Sequence, residues 1–152
     1  MIEKLLNEDL IEIGVEVNRW EDAVIKSGEL LLKNNKVDSR YISAMIDTVN
    51  EMGPYIVMAP GIAMPHARPE YGAKNIGLSV IVLKNSVNFG NDEFDPVRIV
   101  FAICAIGHES HIELLQDLSL ILDDNRLVSK ASECRSKKEL INVLIEIYEN
   151  NK

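Results

Sequence analysis

Two runs constrain this chain more than any other feature: Ile76 to Leu83 and Val97 to Ala105. Both are rich in β-branched residues, and apolar side chains fill successive positions rather than alternate ones. A strand with one face in water alternates, whereas a strand that is apolar on both parities is covered on both faces. The two runs therefore predict the centre of a sheet with helices packed on either side. Between them, Asn85 to Asp95 reads as a polar connection carrying a short Val87-Asn88-Phe89 element.

The flanks supply the covering helices. Ile11, Ile13, Val15 and Val17 alternate with Glu12, Gly14, Glu16 and Asn18, the period of a half-buried strand. Asn18 with Glu21 reads as a helix start, and the apolar pattern through Trp20, Ala23, Val24, Leu30 and Leu31 stops near Asn34-Asn35. Tyr41, Ile42, Met45, Ile46 and Val49 recur at three and four, which predicts a second helix over 39–52 ended by Gly53-Pro54. Tyr55 to Met58 is strand-like and runs into a turn at Ala59-Pro60-Gly61. Ser110 with Glu113, and Ser136 with Glu139, read as capping boxes that open two further helices, with a short helix around 125–132 between them. With 152 residues, the expectation is one domain over 1–152, of the α/β class, with a mixed β-sheet flanked by helices on both faces.

Composition narrows the partners. Sixteen Lys+Arg against 24 Asp+Glu leave a net charge of -8, which repels phosphate backbones and anionic lipid. Nucleic acid and membrane insertion are thus not expected, and the N-terminal stretch meets acidic residues too early for a secretory signal. Cys104 sits in an apolar run and reads as a buried, inert thiol, while Cys134 has no ligand-spaced neighbour. That usage suits a reducing, cytoplasmic setting. The common nucleotide, dinucleotide, hydrolase and zinc-protease signatures are missing.

Chemistry then falls to three histidines. His66 lies in Ala59-Pro60-Gly61-Ile62-Ala63-Met64-Pro65-His66-Ala67-Arg68-Pro69-Glu70, where three prolines and a glycine make a rigid, non-repeating segment. Its imidazole can accept a phosphoryl group, a proton or a metal; the plainer alternative is a turn histidine with a satisfied hydrogen bond. His111, placed just after the expected cap Ser110, falls in a helix first turn, where unpaired N–H groups hold anions. The plainer alternative there is an exposed surface histidine. His108 reads as a loop residue. The spacing of His108 and His111 is not a recurring zinc pattern, so no metal is expected.

The stretch Glu51 to Ala67, with Met58-Ala59 and then Ile62-Ala63-Met64-Pro65-His66, resembles the histidine signature of the enzyme IIA domains of the bacterial phosphotransferase system, in the mannitol/fructose (type 2) superfamily. Ala105 followed by His111-Ile112-Glu113-Leu114-Leu115 resembles the second histidine of that family. Gly53 to Gly61 and Pro65 to Glu70 look most like the ascorbate-type branch. The resemblance implies that the domain takes a phosphoryl group from the phosphocarrier HPr onto His66, with no cofactor. It would pass the group to a IIB protein, which energises uptake through a IIC membrane component. His111 would assist at the phosphoryl oxygens. Mannitol and fructose members carry an arginine near the end of the helix before the signature; Val49-Asn50-Glu51 stands here instead, so Arg68 is the expected phosphate-binding cation. Its alternative use is an exposed ion pair with Glu70. A regulatory, phosphorylation-dependent module of the nitrogen-related type is the second function that the resemblance allows.

Overall fold

The computed structural model describes all 152 residues, Met1–Lys152. In chain order it contains α1 (Ile2–Leu5), β1 (Ile11–Val15), α2 (Trp20–Lys33), α3 (Ser39–Met52), β2 (Val57–Ala59) and β3 (Ile62–Ala63). These are followed by β4 (Gly77–Val87), β5 (Val97–Cys104), α4 (His108–Leu122), α5 (Leu127–Ser132) and α6 (Lys137–Asn150). The five strands form one mixed sheet in the order β1-β4-β5-β3-β2. β4 and β5 pair antiparallel with Ile81 opposite Val100, while β1 joins β4 and β3 joins β5 in parallel.

The two apolar runs occupy the interior of this sheet, as expected, and their parities separate two cores. Leu78, Val80 and Val82 of β4 with Ile99, Phe101 and Ile103 of β5 face α1, α4, α5 and α6. On the other face Ile81, Leu83, Val100 and Ala102 meet Val24, Leu31, Tyr41 and Met45 of α2 and α3. A strand buried on both sides has no position to spend on water, which is why neither run alternates. Two polar residues interrupt the runs: buried Ser79, whose Oγ donates to the Ser27 carbonyl of α2 at 2.7 Å, and half-buried Arg98, whose Nε donates to the Leu83 carbonyl.

The helix over 39–52 is found with those bounds; Asp38 caps it by accepting from the Arg40 amide, and Gly53 ends it at φ 83°. That left-handed value favours glycine, which has no Cβ to clash. Ser136 caps α6 through the Glu139 amide, as the capping box predicted. Several boundaries differ from expectation. α2 is preceded by Arg19 rather than Asn18, and no side chain caps it. β4 extends through Val87, which pairs with Val97, so the expected polar connection begins only after it. The strand expected over 55–58 is shifted to Val57–Ala59, because it hairpins through Pro60-Gly61 onto β3, whose two residues are too few to read from periodicity.

The largest correction concerns α4. Ser110 is not its cap: the helix begins at His108 after Gly107, and the Ser110 hydroxyl instead donates back to the Gly107 carbonyl at 3.0 Å. Gly107, extended at φ -136° and ψ 157°, takes the cap position, because the chain leaves β5 and turns within three residues. His108 is consequently the first residue of a helix and not part of a loop. No helix of the chain is long and apolar enough to cross a membrane.

Candidate functional site

His66 stands two residues beyond β3, and the fold fixes it from three directions. The Met64 amide donates to the Ile56 carbonyl at 2.6 Å, and the Ile103 amide at the end of β5 donates to the Pro65 carbonyl at 3.1 Å. The ring itself is held by Nδ1, which lies 2.9 Å from the Met64 carbonyl. A carbonyl only accepts, so Nδ1 carries the proton and the neutral ring leaves its lone pair on Nε2. Because Met64 and Pro65 are buried and proline restricts its own φ, the orientation of the ring is inherited from the sheet.

The other wall of the site is the start of α4. The first amide of that helix with a backbone partner is that of His111, which donates to the Gly107 carbonyl at 3.1 Å. The amides of His108, Glu109 and Ser110 precede it and have no backbone acceptor. The anion-holding amides were expected in a first turn opened by Ser110; they lie earlier, because the helix starts at His108. The His111 ring is 6.5 Å from the His66 ring, centroid to centroid, at 51°. Burial lowers its pKa from the ordinary histidine value, and the charges that His66 and His108 can carry lower it further. Near neutral pH the His111 ring is therefore uncharged, with an N–H to donate.

Between these walls is a cleft of about 610 Å³. Tyr41, Thr48, Glu51 and Met52 of α3 line it, with His66, Arg68 and Tyr71 on the following segment and Ile106, His108 and His111 opposite. All three residues expected at the site thus share one cavity. Arg68 is exposed and forms no ion pair with Glu70; the ion pairs of the chain lie elsewhere. Of the three apolar residues Met58, Ile62 and Met64 leading to His66, the last two are core and Met58 is exposed. Cys104 borders the cleft but is buried, and burial pushes its thiol up to about 12, so it stays protonated. A second groove of about 480 Å³ along β1 and α2 holds Glu12, Glu16, Lys26, Glu29 and Lys33, with no histidine or cysteine.

Two features of the site escape the sequence reading. Free first-turn amides were expected, but their place at His108–Ser110 follows from a backbone turn that no side-chain pattern announces. Tyr41 reads as one apolar member of a helical stripe, although its hydroxyl contacts the residue after His66. A buried tyrosine nearly always needs a partner for its hydroxyl, and that was the available signal.

Comparison with known proteins supplies the family. The family described as "Phosphoenolpyruvate-dependent sugar phosphotransferase system, EIIA 2" matches residues 4–147. The ascorbate-specific PTS system EIIA component of Escherichia coli is 33% identical over 143 residues, covering 93% of each chain. The solution structure of the mannitol-specific cryptic phosphotransferase enzyme IIA CmtB from Escherichia coli is 33% identical, with a TM-score of 0.86 over 95% of this chain and 98% of that one. The enzyme IIA chain in the complex of mannitol enzymes IIA and phosphorylated IIB from Escherichia coli is 27% identical, with a TM-score of 0.81 over 93% and 97%. The match spans both cores and both walls of the cleft, and the chain belongs to the type 2 EIIA family of the phosphoenolpyruvate-dependent sugar phosphotransferase system.

Proposed function

We propose that this EIIA component carries a phosphoryl group on Nε2 of His66, accepting it from phospho-HPr and handing it to a cognate IIB protein. The observation that carries the reading is the Nδ1 bond to the Met64 carbonyl, which leaves Nε2 as the nucleophilic atom in a cleft with His111 and the free amides of α4. In the step, the Nε2 lone pair forms a bond to phosphorus. The bond from phosphorus to the donor side chain breaks, and its electron pair stays on the donor. Such transfer has a loose transition state whose charge spreads over the equatorial oxygens, so positioning and charge stabilisation do most of the work. The amides of His108, Glu109 and Ser110, the neutral N–H of His111 and the unpaired Arg68 guanidinium supply that stabilisation.

The rim suits carrier proteins. Met52, Tyr71 and Ile106 line the cleft and are 62%, 50% and 60% exposed, so apolar surface surrounds the histidine that must meet two partners in turn. The IIB partner is supported by the solved complex of the mannitol relative with phosphorylated IIB. Likeness to ascorbate-specific components, together with Val49-Asn50-Glu51 in place of an arginine at the end of α3, favours an ascorbate-type system. The protein then acts in the cytoplasm and energises a IIC component without touching it. Incubation with enzyme I, HPr and phosphoenolpyruvate is expected to place one acid-labile phosphoryl group on the wild type and none on His66→Ala. Full labelling of that variant would overturn the assignment, and transfer onward to ascorbate-type and mannitol-type IIB proteins tests the system.

A further inference from the structure

Two residues flank His66, and both are fastened to Ile103 at the end of β5. Pro65 is held directly, its carbonyl accepting from the Ile103 amide at 3.1 Å. Ala67 is held through a side chain. Its amide donates to the Tyr41 hydroxyl at 3.0 Å, and that hydroxyl lies 2.8 Å from the Ile103 carbonyl and 3.1 Å from the Ala67 carbonyl. A phenol has one proton and two lone pairs. The shorter contact takes the proton to Ile103, one lone pair receives the Ala67 amide, and the Ala67 carbonyl is the alternative acceptor. No other acceptor serves the Ala67 amide.

From this geometry we infer that Tyr41 is a positioning residue for phosphoryl transfer, its buried hydroxyl fixing the backbone after His66 and so the direction of Nε2. The inference rests on His66 as the phosphoryl carrier. Tyr41 is 1% exposed, on α3, and its ring packs in the core beneath the cleft. Packing alone would be served equally by phenylalanine; the hydroxyl is what joins α3, β5 and the His66 segment at one atom. Burial raises its pKa above the ordinary tyrosine value, so the group remains a neutral donor at working pH. The Met64 carbonyl that receives Nδ1 is anchored upstream, by the Met64 amide on Ile56 and the Pro65 carbonyl on Ile103, so the Ala67 tether fixes the other end of the His66 backbone. Release of one end lets the ring swing, and a displacement of about 1 Å at a reacting atom costs up to ~10² in rate.

The test compares Tyr41→Phe with Ser79→Ala, which removes another buried side-chain bond to backbone, between β4 and α2 and outside the site. Both variants are expected to fold with similar losses in thermal midpoint. Tyr41→Phe should lower the maximal rate of phosphoryl transfer from phospho-HPr by ~10–10², with KM within about two-fold. Its His66 ¹⁵N resonances should move from a pure Nδ1–H tautomer towards a mixture, and Ser79→Ala should change neither reading. In the wild type, the Ala67 amide should exchange with solvent as slowly as the amides of β5. Normal kinetics with unmoved His66 resonances in Tyr41→Phe, or rapid exchange at Ala67, would overturn the role. Absence of any phosphoryl group on wild-type His66 would instead remove the transfer reading, while the tautomer and exchange measurements would still judge the tether.

Discussion

Nδ1 of His66 is bonded to the Met64 carbonyl and the residue lines the cleft, so the proposed transfer leaves Nε2 for chemistry. The residues around it differ in how they would help. His111 is a neutral donor held by a helix, whereas Arg68 is a permanent cation on an exposed segment with no partner of its own. Removing either should leave the acceptor nitrogen intact, so labelling persists and only rate falls. For His111→Ala the expected loss is ~10²–10³, the usual cost of one donor to a developing oxyanion. Arg68→Lys keeps the charge but loses the planar fork that grips two phosphoryl oxygens, so it should also slow transfer clearly while leaving thermal stability unchanged. Quench-flow rates in both directions, with HPr as donor and IIB as acceptor, check the pair. Unaltered rates in both variants would leave His66 working without either neighbour.

At the scale of elements, the site depends on where α3 and α4 begin and end, and the two were not equally legible. α3 is bounded by Asp38 and Gly53, residues that act through their own side chain or lack of one, so its limits can be read from sequence. α4 is bounded by the exit from β5, and Ser110, which has the right identity for a cap, is used inside the helix. The sheet centre, both faces of cover and the pairing of His66 with His111 in one cleft were legible because apolar parity and motif order encode them. The exact place of the free amides, His108 in a helix and the Tyr41 tether were not, because each depends on a backbone path through space. α3 also needs its neighbour close. At Gly28 of α2 an added Cβ would lie 2.8 Å from Ile42 Cγ1 and 3.0 Å from Met45 Cε, both on α3. Gly28→Ala is therefore expected to push the helices apart and cost about 1–3 kcal/mol despite the better helix propensity of alanine. A calorimetric midpoint lowered by ~2–4 °C per kcal/mol would show it; a raised midpoint would mean that the Ile42 and Met45 side chains move aside freely.

Taken as a whole, the molecule is acidic, with a net charge of -8, and α4 lies between two groups that respond to acid. His111 is near its start, its pKa lowered by burial and by His66 and His108. Asp124 lies just past its end and accepts from Arg126 Nη2 at 2.7 Å and from Asn151 Nδ2 at 2.9 Å, which ties the end of α4 to the end of α6. The hydrogen bonds from Arg126 and Asn151 hold its carboxyl well below the ordinary aspartate range. Both shifts act in the same direction. Below the ordinary histidine value near 6.5 the unfolded chain takes up a proton that folded His111 resists, so stability falls with pH until the folded ring also protonates. Asp124 contributes stability above the ordinary aspartate value near 3.9, and that contribution drains as pH falls below it towards the depressed folded value. Thermal unfolding measured from pH 8 to pH 3 should show both declines. His111→Gln should remove the first, so that variant and wild type diverge in slope only between pH 7 and the folded value. Asp124→Asn should be less stable than wild type at pH 7, with the gap starting to narrow below about pH 4, because the unfolded wild-type carboxyl then takes up a proton that the folded one still resists. Parallel profiles for wild type and Asp124→Asn across the whole range would mean that the link between α4 and α6 does not depend on that charge.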